Sequence, residues 1–223
     1  MRVAVYYAPA LNDTLWELGS HWLGRDADSN AALKQPDIDG IAELTADARL
    51  YGFHATLKPP MRLRPGASWD AVVTAAEDLV AGIAPFELPH LEVADLHGFL
   101  AIRDAEPSAA LRSLADACVA GLDHFRQPPD AAELARRRRS KLSAQQDAML
   151  VRWGYPYVFE TWFFHMTLTR RLSEQERAVL LPLAREMFAV ALQAPRMVRD
   201  ICLYTQAGDG EPFVLAERLP LRG

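Results

Sequence analysis

Two hydrophobic periods alternate along this chain, one of two residues and one of three to four. Residues 2–8, RVAVYYA, are rich in β-branched and aromatic side chains and stop at Pro9, which predicts a strand. Residues 11–23 then place leucines and tryptophans on one helical stripe, which predicts a helix. Residues 24–50 show mixed signals and indicate mostly loop. The chain is therefore expected to open with a strand, a helix and a long connection.

The change from strand to helix and back to strand occurs twice more. The first series is a strand at 53–58, a helix at 68–83 and two strand-like runs within 86–103. The second series is a strand at 157–172, a helix at 173–192 and strands within 196–206 and 212–219. Ser68 can cap the first of these helices, and Ser173 with Glu176 suits a capping box at the second. The repetition predicts a diverged duplication of one unit.

The predicted fold class is α+β, built as a bilobal pseudo-twofold duplication. We expect a single domain over residues 1–223, with approximate repeat units at 50–105 and 158–220. Residues 1–8 are expected to add a strand, and residues 106–157 to form a helical connection. Two antiparallel sheets are expected to line a central cleft, with the helices on the outside.

One short sequence occurs in both series. FHATL contains His54 and Thr56, FHMTL contains His165 and Thr167, and the two histidines lie 111 positions apart. Since successive side chains of a strand point to opposite faces, the His and Thr of each copy share one face. If the two units are related by a pseudo-twofold axis, both polar faces can meet in one cleft. The pattern therefore predicts that the two histidines come together.

Two histidines with two hydroxyl groups suit phosphoryl chemistry. An imidazole has an ordinary pKa of about 6.5, so one ring can take a proton while the other gives one. Thr56 and Thr167 can each donate a hydrogen bond to a non-bridging phosphate oxygen. Lys58 on the same predicted face, or Arg170 and Arg171 just after the second motif, can neutralise the phosphate charge. The arrangement demands no metal and no cofactor.

Aromatic residues near the motifs have two interpretations. Tyr6 in the first strand and Tyr204 in a late strand could stack on a base or a sugar, or could be packed. Four further aromatic residues precede the second motif: Trp153, Tyr155, Tyr157 and Trp162. They are dense enough for a stacking platform, although their position before a strand favours core packing. His97 could line the cleft, but a role in a turn is favoured.

Net charge and the lengths of the apolar stretches bear on whether the protein binds nucleic acid or a membrane. The net charge of −5 argues against a protein whose main task is to neutralise a nucleic-acid backbone. The run Arg136–Arg139 favours a solvated helix face, and it could also steer an anionic substrate or contact RNA. No stretch approaches the ~20 apolar residues of a membrane helix, and the N-terminus lacks a signal-peptide core. We expect a cytoplasmic protein with no membrane partner.

The two His-x-Thr motifs resemble the signature of the two-histidine phosphoesterase superfamily, which includes 2′-5′ RNA ligase-like proteins and cyclic nucleotide phosphodiesterases. Wider stretches are similar to one branch, the phosphonate-metabolism proteins found beside carbon–phosphorus lyase genes in bacteria. These stretches are RVAVYYAP, RLYGFHATLKPPMRL, LHGFLAI and WGYPYVFETWFFHMTLTRRL. The resemblance covers nearly the whole chain.

The resemblance implies roles for the motif residues. His54 and His165 become the acid–base pair, Thr56 and Thr167 hold the phosphate, and Arg170 stands where a basic residue often follows the second motif. The implied activity is metal-independent hydrolysis of a cyclic or 2′-5′-type phosphoester of a nucleotide or ribose phosphate, in phosphonate metabolism. Which histidine is the base stays open, as do the substrate and the choice between hydrolysis and ligation. The alternative is a non-catalytic module that binds a nucleotide, a sugar phosphate or RNA in the same cleft.

Overall fold

A seven-stranded antiparallel sheet organises the chain, and a two-stranded sheet lies beside it. The computed structural model describes all residues from 1 to 223. The strands are β1 (Arg2–Tyr7), β2 (Ala55–Arg62), β3 (Phe86–Leu88), β4 (Leu91–Asp95), β5 (Phe99–Asp104), β6 (His165–Arg171), β7 (Arg196–Val198), β8 (Asp200–Gln206) and β9 (Val214–Pro220). The helices are α1 (Thr14–Leu23), α2 (Ile41–Leu44), α3 (Ala46–Tyr51), α4 (Trp69–Ala81), α5 (Ala109–Gly121), α6 (Ala131–Arg138), α7 (Ala144–Trp153) and α8 (Glu174–Gln193).

The large sheet has the strand order β4-β5-β6-β2-β1-β8-β9. Its two motif strands, β2 and β6, are neighbours at the middle and pair only through Ala55 and Met166. This single pair joins two halves, β4-β5-β6 and β2-β1-β8-β9. The small sheet is the antiparallel pair of β3 with β7. The expected α+β class with two antiparallel sheets is confirmed.

The order of elements repeats after each motif strand. The series β2-α4-β3-β4-β5 matches β6-α8-β7-β8-β9 element by element. The hairpin of the first series pairs with the motif strand of the second, through β5 and β6. The third elements of the two series, β3 and β7, pair with each other. Each series therefore contributes strands that pair with strands of the other. The repeat boundaries at 50–105 and 158–220 stay a prediction.

Serine side chains begin the long helices. Ser68 accepts a hydrogen bond from the backbone of Ala71, and Ser108 accepts one from Leu111. At α8 the Ser173 hydroxyl and the Glu176 carboxylate each accept a bond from the other residue's backbone N–H, which is the predicted capping box. These caps satisfy amides that have no partner within the helix, so the local sequence determines where each helix starts.

The main core lies on one face of the large sheet. It is a cluster of 41 buried residues, to which α1, α4, α5 and α8 contribute their apolar sides. The other face carries a smaller cluster of eight, including Tyr6, Cys202, Tyr204 and Phe213. Helix α6 buries no side chain, and α7 buries only Leu150. The second face is therefore the one that keeps open space beside the sheet.

Three expected elements differ in the structure. Residues 24–50 contain α2 and α3, which were missed because helices of four and six residues are too short to show a period. The second motif strand starts only at His165, and residues 159–161 form a turn of 3₁₀ helix instead. Strand β2 runs through Pro59 and Pro60, where it was expected to end. The prolines are tolerated because β2 pairs with β6 only at Ala55, which leaves one edge free beyond it.

Candidate functional site

The register between the two motif strands brings four polar side chains together. Ala55 lies opposite Met166 in an antiparallel pair. One position to either side, His54 therefore lies across from Thr167, and Thr56 lies across from His165. All four point to the same face, because they alternate with Ala55 and Met166, which are fully buried in the main core. The predicted meeting of the two motifs is found in the structure.

Each histidine ring is held in the same way by its own motif. The Nδ1 atom of His54 lies 2.9 Å from the carbonyl oxygen of Gly52, and that of His165 lies 3.1 Å from the carbonyl oxygen of Phe163. A carbonyl can only accept, so Nδ1–H donates in both rings and the neutral rings carry their lone pair on Nε2. The Nε2 atom of His54 lies 3.3 Å from the Thr56 hydroxyl. Both motifs thus present a basic nitrogen to the same side.

Gly52 also helps to hold the His54 ring, although it lies outside the repeated FHxTL sequence. Its φ of +79° is a conformation that other residues rarely adopt, and a Cβ there would lie 2.6 Å from the Cβ of Ala27. The glycine lets the chain turn sharply after α3, so that its carbonyl oxygen faces the His54 ring. In the sequence, the glycine two positions before His54 was the signal that could have indicated this turn.

A different aromatic ring stacks on each histidine. Tyr6 stacks on His54 with ring centroids 3.6 Å apart and planes 25° apart. Phe163 stacks on His165 at 4.6 Å and 26°, and this phenylalanine is 44% exposed. Tyr6 is fully buried, so His54 has a closed wall behind it. His165 has an accessible ring beside it.

Burial shifts both imidazoles toward the neutral form. It lowers the pKa of His54 to about 4, a shift that the hydrogen bond to Gly52 opposes and the charge of His165 reinforces. Burial also lowers the pKa of His165, against the effect of its bond to Phe163. Before an anion binds, both rings are therefore neutral at pH 7.

A cavity of about 510 Å³ opens beside the motifs. Thr56 and His165 line it, together with residues from four other segments. These are His97, Phe99, Gln146, Tyr155, Tyr157, Thr161, Trp162, Phe163 and Arg171. No carboxylate lines it, and Arg171 is its only permanent cation. The arrangement offers an anion one positive charge and offers a flat ring several aromatic neighbours.

The helical connection contributes more of this cavity than the sequence predicted. Gln146 of α7, Tyr155 and Tyr157 all line it, as does Trp162, whose Nε1–H donates to the carbonyl oxygen of Thr56 at 2.8 Å. The favoured core packing holds for Trp162, which belongs to the main core although it also touches the cavity. Tyr155 and Tyr157 take the position of the alternative, a stacking platform, and Trp153 does not line the cavity. His97 occupies a turn with a φ of +56° and also lines the cavity, so both of its interpretations hold.

Arg170 does not lie at this cavity, which corrects the expectation for the second motif. Its guanidinium donates to Glu176 at 3.0 Å and to Glu43 at 3.2 Å, away from the motif hydroxyls. The next residue, Arg171, pairs with Phe99 of β5 and donates to the carbonyl oxygen of His97. Arg171 shares the alternation of His165 and Thr167, and the register shift between Phe99 and Ala101 adds an even number of residues to β6, so Arg171 stays on the motif face. The cation at the cavity is therefore Arg171.

Lys58 is also turned away from the motif face. Val5 pairs with Lys58 while Tyr6 pairs with Thr56, a register shift that leaves one extra residue in β2. Lys58 is consequently 2% exposed, and its ammonium donates to the carbonyl of Val119 at 3.1 Å and to Asp123 at 3.3 Å. Burial lowers its pKa to about 8, although Asp123 raises it. Lys58 belongs to a buried ion pair under α5.

This buried pair gives a stability prediction. Asp123→Asn is expected to lower the free energy of unfolding by about 3–5 kcal/mol, since it removes the counter-ion of a buried charge. Lys58→Met is expected to cost less, because Asp123 keeps its ion pair with Arg126 at 2.7 Å. From pH 8 to 10.5 the unfolded chain keeps a proton that folded Lys58 has lost, so wild type should gain stability relative to Lys58→Met. Urea unfolding of the three proteins across this range measures it, and a larger loss in Lys58→Met than in Asp123→Asn would contradict it.

Tyr6 and Tyr204 lie behind the site rather than on its surface. Both are fully buried, and neither hydroxyl has a hydrogen-bond partner. Their ring centroids are 4.9 Å apart, and Tyr204 lies 6.3 Å from the ring of His54. Tyr6 pairs with Thr56 and therefore lies on the motif face. The expected contact with a base or sugar is corrected, because both rings pack against each other and Tyr6 against His54.

No group of three or more His, Cys, Asp or Glu side chains is arranged to hold a metal ion. None of the helices combines the length and the apolar character that crossing a bilayer requires.

Comparison with known proteins places the chain in a family. A family model described as "Protein of unknown function (DUF1045)" matches residues 56–214, and the chain belongs to this family.

Two curated bacterial relatives carry the same name, ribose 1,5-bisphosphate phosphokinase PhnN. The protein of Janthinobacterium sp. (strain Marseille) is 39% identical over 232 residues, covering 100% of this chain and 51% of that protein. The protein of Laribacter hongkongensis (strain HLHK9) is 38% identical over 217 residues, covering 96% and 50%. The chain spans about half the length of each.

Among solved structures, the chain is similar to LigT of E. coli. The apo form gives a TM-score of 0.47 at 15% identity, covering 100% of this chain and 98% of that chain. The complex of LigT with 3′-AMP gives a TM-score of 0.46 at 15% identity with the same coverage.

Proposed function

We propose that the chain is a metal-independent phosphodiesterase that hydrolyses a cyclic or 2′-5′-type phosphoester of a nucleotide or ribose phosphate, within phosphonate metabolism. The observation that carries the proposal is the pairing of Ala55 with Met166. It sets the His and Thr of both motifs on one face, with each His ring held through Nδ1. The sequence resemblance to the two-histidine phosphoesterases supports the same class of chemistry.

The acid–base step uses the two Nε2 atoms. One neutral ring takes a proton from a water molecule, whose oxygen forms a new bond to phosphorus. The other ring, protonated, gives its proton to the ester oxygen as the second P–O bond breaks. The proton taken and the proton given balance, and the two rings end with their roles exchanged. Solvent then restores the starting protonation states.

Three further side chains suit the phosphate itself. The hydroxyls of Thr56 and Thr167 can donate to the non-bridging oxygens, whose charge increases as the water attacks. Arg171, the only permanent cation at the cavity, can balance that charge. It donates to the His97 carbonyl, which holds its guanidinium in place. These groups would stabilise the transition state without contributing a proton.

The aromatic lining favours a nucleotide over a bare sugar phosphate. Phe163 is exposed beside His165, and Tyr155, Tyr157 and Trp162 line the same space. Aromatic side chains hold bases by stacking, a contact worth about 1–3 kcal/mol per base. A nucleoside 2′,3′-cyclic phosphate would place its base against these rings and its phosphate between the histidines.

The shifted histidines predict an acidic optimum for kcat/KM. The base must be neutral and the acid protonated in the free protein, and the pKa of both rings lies below the ordinary value of 6.5. As pH rises above the pKa of the acid, its proton is lost and kcat/KM falls. A bell-shaped profile centred below pH 6.5 is expected, with the limbs of kcat at higher pH because a bound phosphoester anion favours the charged rings. An optimum of kcat/KM above pH 6.5 would contradict this assignment.

The activity test is a panel of substrates followed by phosphorus NMR with EDTA present. The panel contains 2′,3′-cyclic nucleotides, ribose cyclic phosphates and 2′-5′-linked dinucleotides. The proposal expects conversion of at least one member to a phosphomonoester or to two nucleotides at an undiminished rate in EDTA. Loss of all conversion with EDTA, or binding without conversion of any member, would overturn it. Binding alone would support the non-catalytic module.

The name of the curated relatives suggests a second activity, a phosphokinase. Those proteins are about twice as long as the match, so the name describes a longer chain. None of the three lysines here follows a glycine, so the GxxxxGK[ST] loop of one large class of kinases does not occur in this sequence. The site geometry supports hydrolysis over phosphoryl transfer from a nucleotide.

A further inference from the structure

A second cavity of about 520 Å³ lies outside the candidate active site. It is formed by the ends of β1 and β2, the segment at 126–130 and helix α6, and five arginines line it. These are Arg2, Arg62, Arg126, Arg136 and Arg139. Arg2 pairs with Arg62 across β1 and β2, on the same sheet face as Tyr6. Arg62 follows Thr56 by six residues of strand, which corresponds to roughly 20 Å.

The arginines of this cavity are only partly neutralised. Arg62 is bonded to Asp209 at 2.8 Å and Arg126 to Asp123 at 2.7 Å. Arg136 has only Glu133 at 3.8 Å, which Arg137 shares at 3.4 Å.

Two of the five arginines have no carboxylate within 4.0 Å. Arg2 donates to the Gln206 amide oxygen at 2.6 Å and lies over the Phe213 ring, so its position is fixed without an acid. Arg139, just after α6, also lines the cavity and has no acidic partner. The cavity also contains Asp130 and Glu133, but Asp130 is occupied as the N-cap of α6. An anion in the cavity would meet both unpaired guanidinium groups.

Arg126 supplies a second, independent observation. Its Nε and Nη2 atoms donate to Asp123, and Nη2 also donates to the carbonyl oxygen of Arg152. The remaining Nη1 atom is buried and has no partner, beside Gly154, which also lines the cavity. A buried donor without an acceptor costs about 1–3 kcal/mol, so an incoming oxygen there would be favourable.

We propose that this cavity, called here the arginine cavity, is a second binding site that takes a small compound bearing a phosphate monoester or pyrophosphate group. Its volume suits a small molecule. No aromatic side chain lines it, in contrast to the candidate active site, so it lacks the stacking surface on which a single nucleic-acid strand depends. The proposal also accounts for the run Arg136–Arg139, of which Arg136 and Arg139 line this cavity.

The test is calorimetric titration with inorganic pyrophosphate in EDTA. Arg139→Gln, and Arg136→Gln with Arg139→Gln, are expected to weaken binding at least tenfold. Arg138→Gln is the matched control, because it removes the same charge from the same run but Arg138 is bonded to Asp147 and does not line the cavity. Circular dichroism and thermal unfolding confirm that each variant folds.

Pyrophosphate could also enter the candidate active site, so each titration is repeated in Arg171→Gln protein. The affinity at the arginine cavity should be unchanged in that background, which keeps this proposal separate from the proposed activity. Equal weakening in Arg138→Gln and Arg139→Gln, or no binding in Arg171→Gln protein, would overturn it. An oligoribonucleotide that binds through Arg136 and Arg139 at least tenfold more tightly than pyrophosphate would also overturn it, in favour of a strand.

Discussion

His54→Ala and His165→Ala are each expected to lower kcat on a cyclic phosphoester by about 10²–10⁴-fold, because each removes one of the two proton carriers. The two rings act in one step, so the double variant should fall little further than either single variant. Both rings are partly exposed, and the folded state should survive either substitution. Single-turnover measurements on the cyclic nucleotide that reacts fastest in the substrate panel give these values.

His90→Ala is the matched control for the histidine variants. His90 is exposed in the turn between β3 and β4, outside the cavity that contains His165. Its replacement should leave kcat within about twofold of wild type, in line with a surface substitution. Retention of near-normal kcat by either motif variant would remove that histidine from the mechanism. Multiplicative losses in the double variant would indicate two independent effects.

Arg171→Gln is expected to lower kcat/KM by about 10–150-fold, the equivalent of a lost hydrogen bond from a charged group at 1.5–3 kcal/mol. The chain provides an adjacent control. Arg170→Gln removes the same charge one residue earlier, but Arg170 is bonded to Glu176 and Glu43 and does not line the cavity. Its kcat/KM should stay within about twofold of wild type.

The opposite ranking of these two arginine variants would contradict the site described here. It would mean that Arg171 does not lie beside the reacting phosphate, and that the resemblance, which assigns Arg170, identifies the phosphate ligand. Equal losses would indicate a general electrostatic effect on an anionic substrate, which falls as ionic strength rises. The comparison is therefore made at low and at high salt.

The shared face of the four motif residues could be predicted from sequence, because the His and Thr of each motif are only two positions apart in a strand. His54 and Thr56 remain on one face whatever happens further along β2, and the same holds for His165 and Thr167 in β6. Lys58 was assigned by extending that alternation, and a register shift intervenes before it. Arg170 was assigned by the resemblance, whereas alternation alone places Arg171 on the face of His165 and Thr167. An unpaired residue in a strand leaves no period in the sequence, so the faces beyond it could not be predicted.

The remaining walls of the site come from distant parts of the chain. Gln146 lies in α7 and Tyr155 just after it, and α6 and α7 bury only Leu150 between them, so no apolar stripe indicates where this segment docks. Phe163 was interpreted as part of a strand, whereas its exposure and its stacking on His165 depend on the turn before β6. Such contacts are set by tertiary packing, which a single sequence does not encode locally.

The central claim is that His54 and His165 act on the same phosphorus atom. The most direct measurement is ¹⁵N NMR of imidazole-labelled protein, titrated from pH 3 to 8 with and without inorganic phosphate. Bound phosphate should raise the pKa of both histidines, with one dissociation constant for both rings and weaker binding in Arg171→Gln protein. A shift in only one ring, or two rings that respond with different affinities, would show that the histidines do not share a phosphate and would contradict the account.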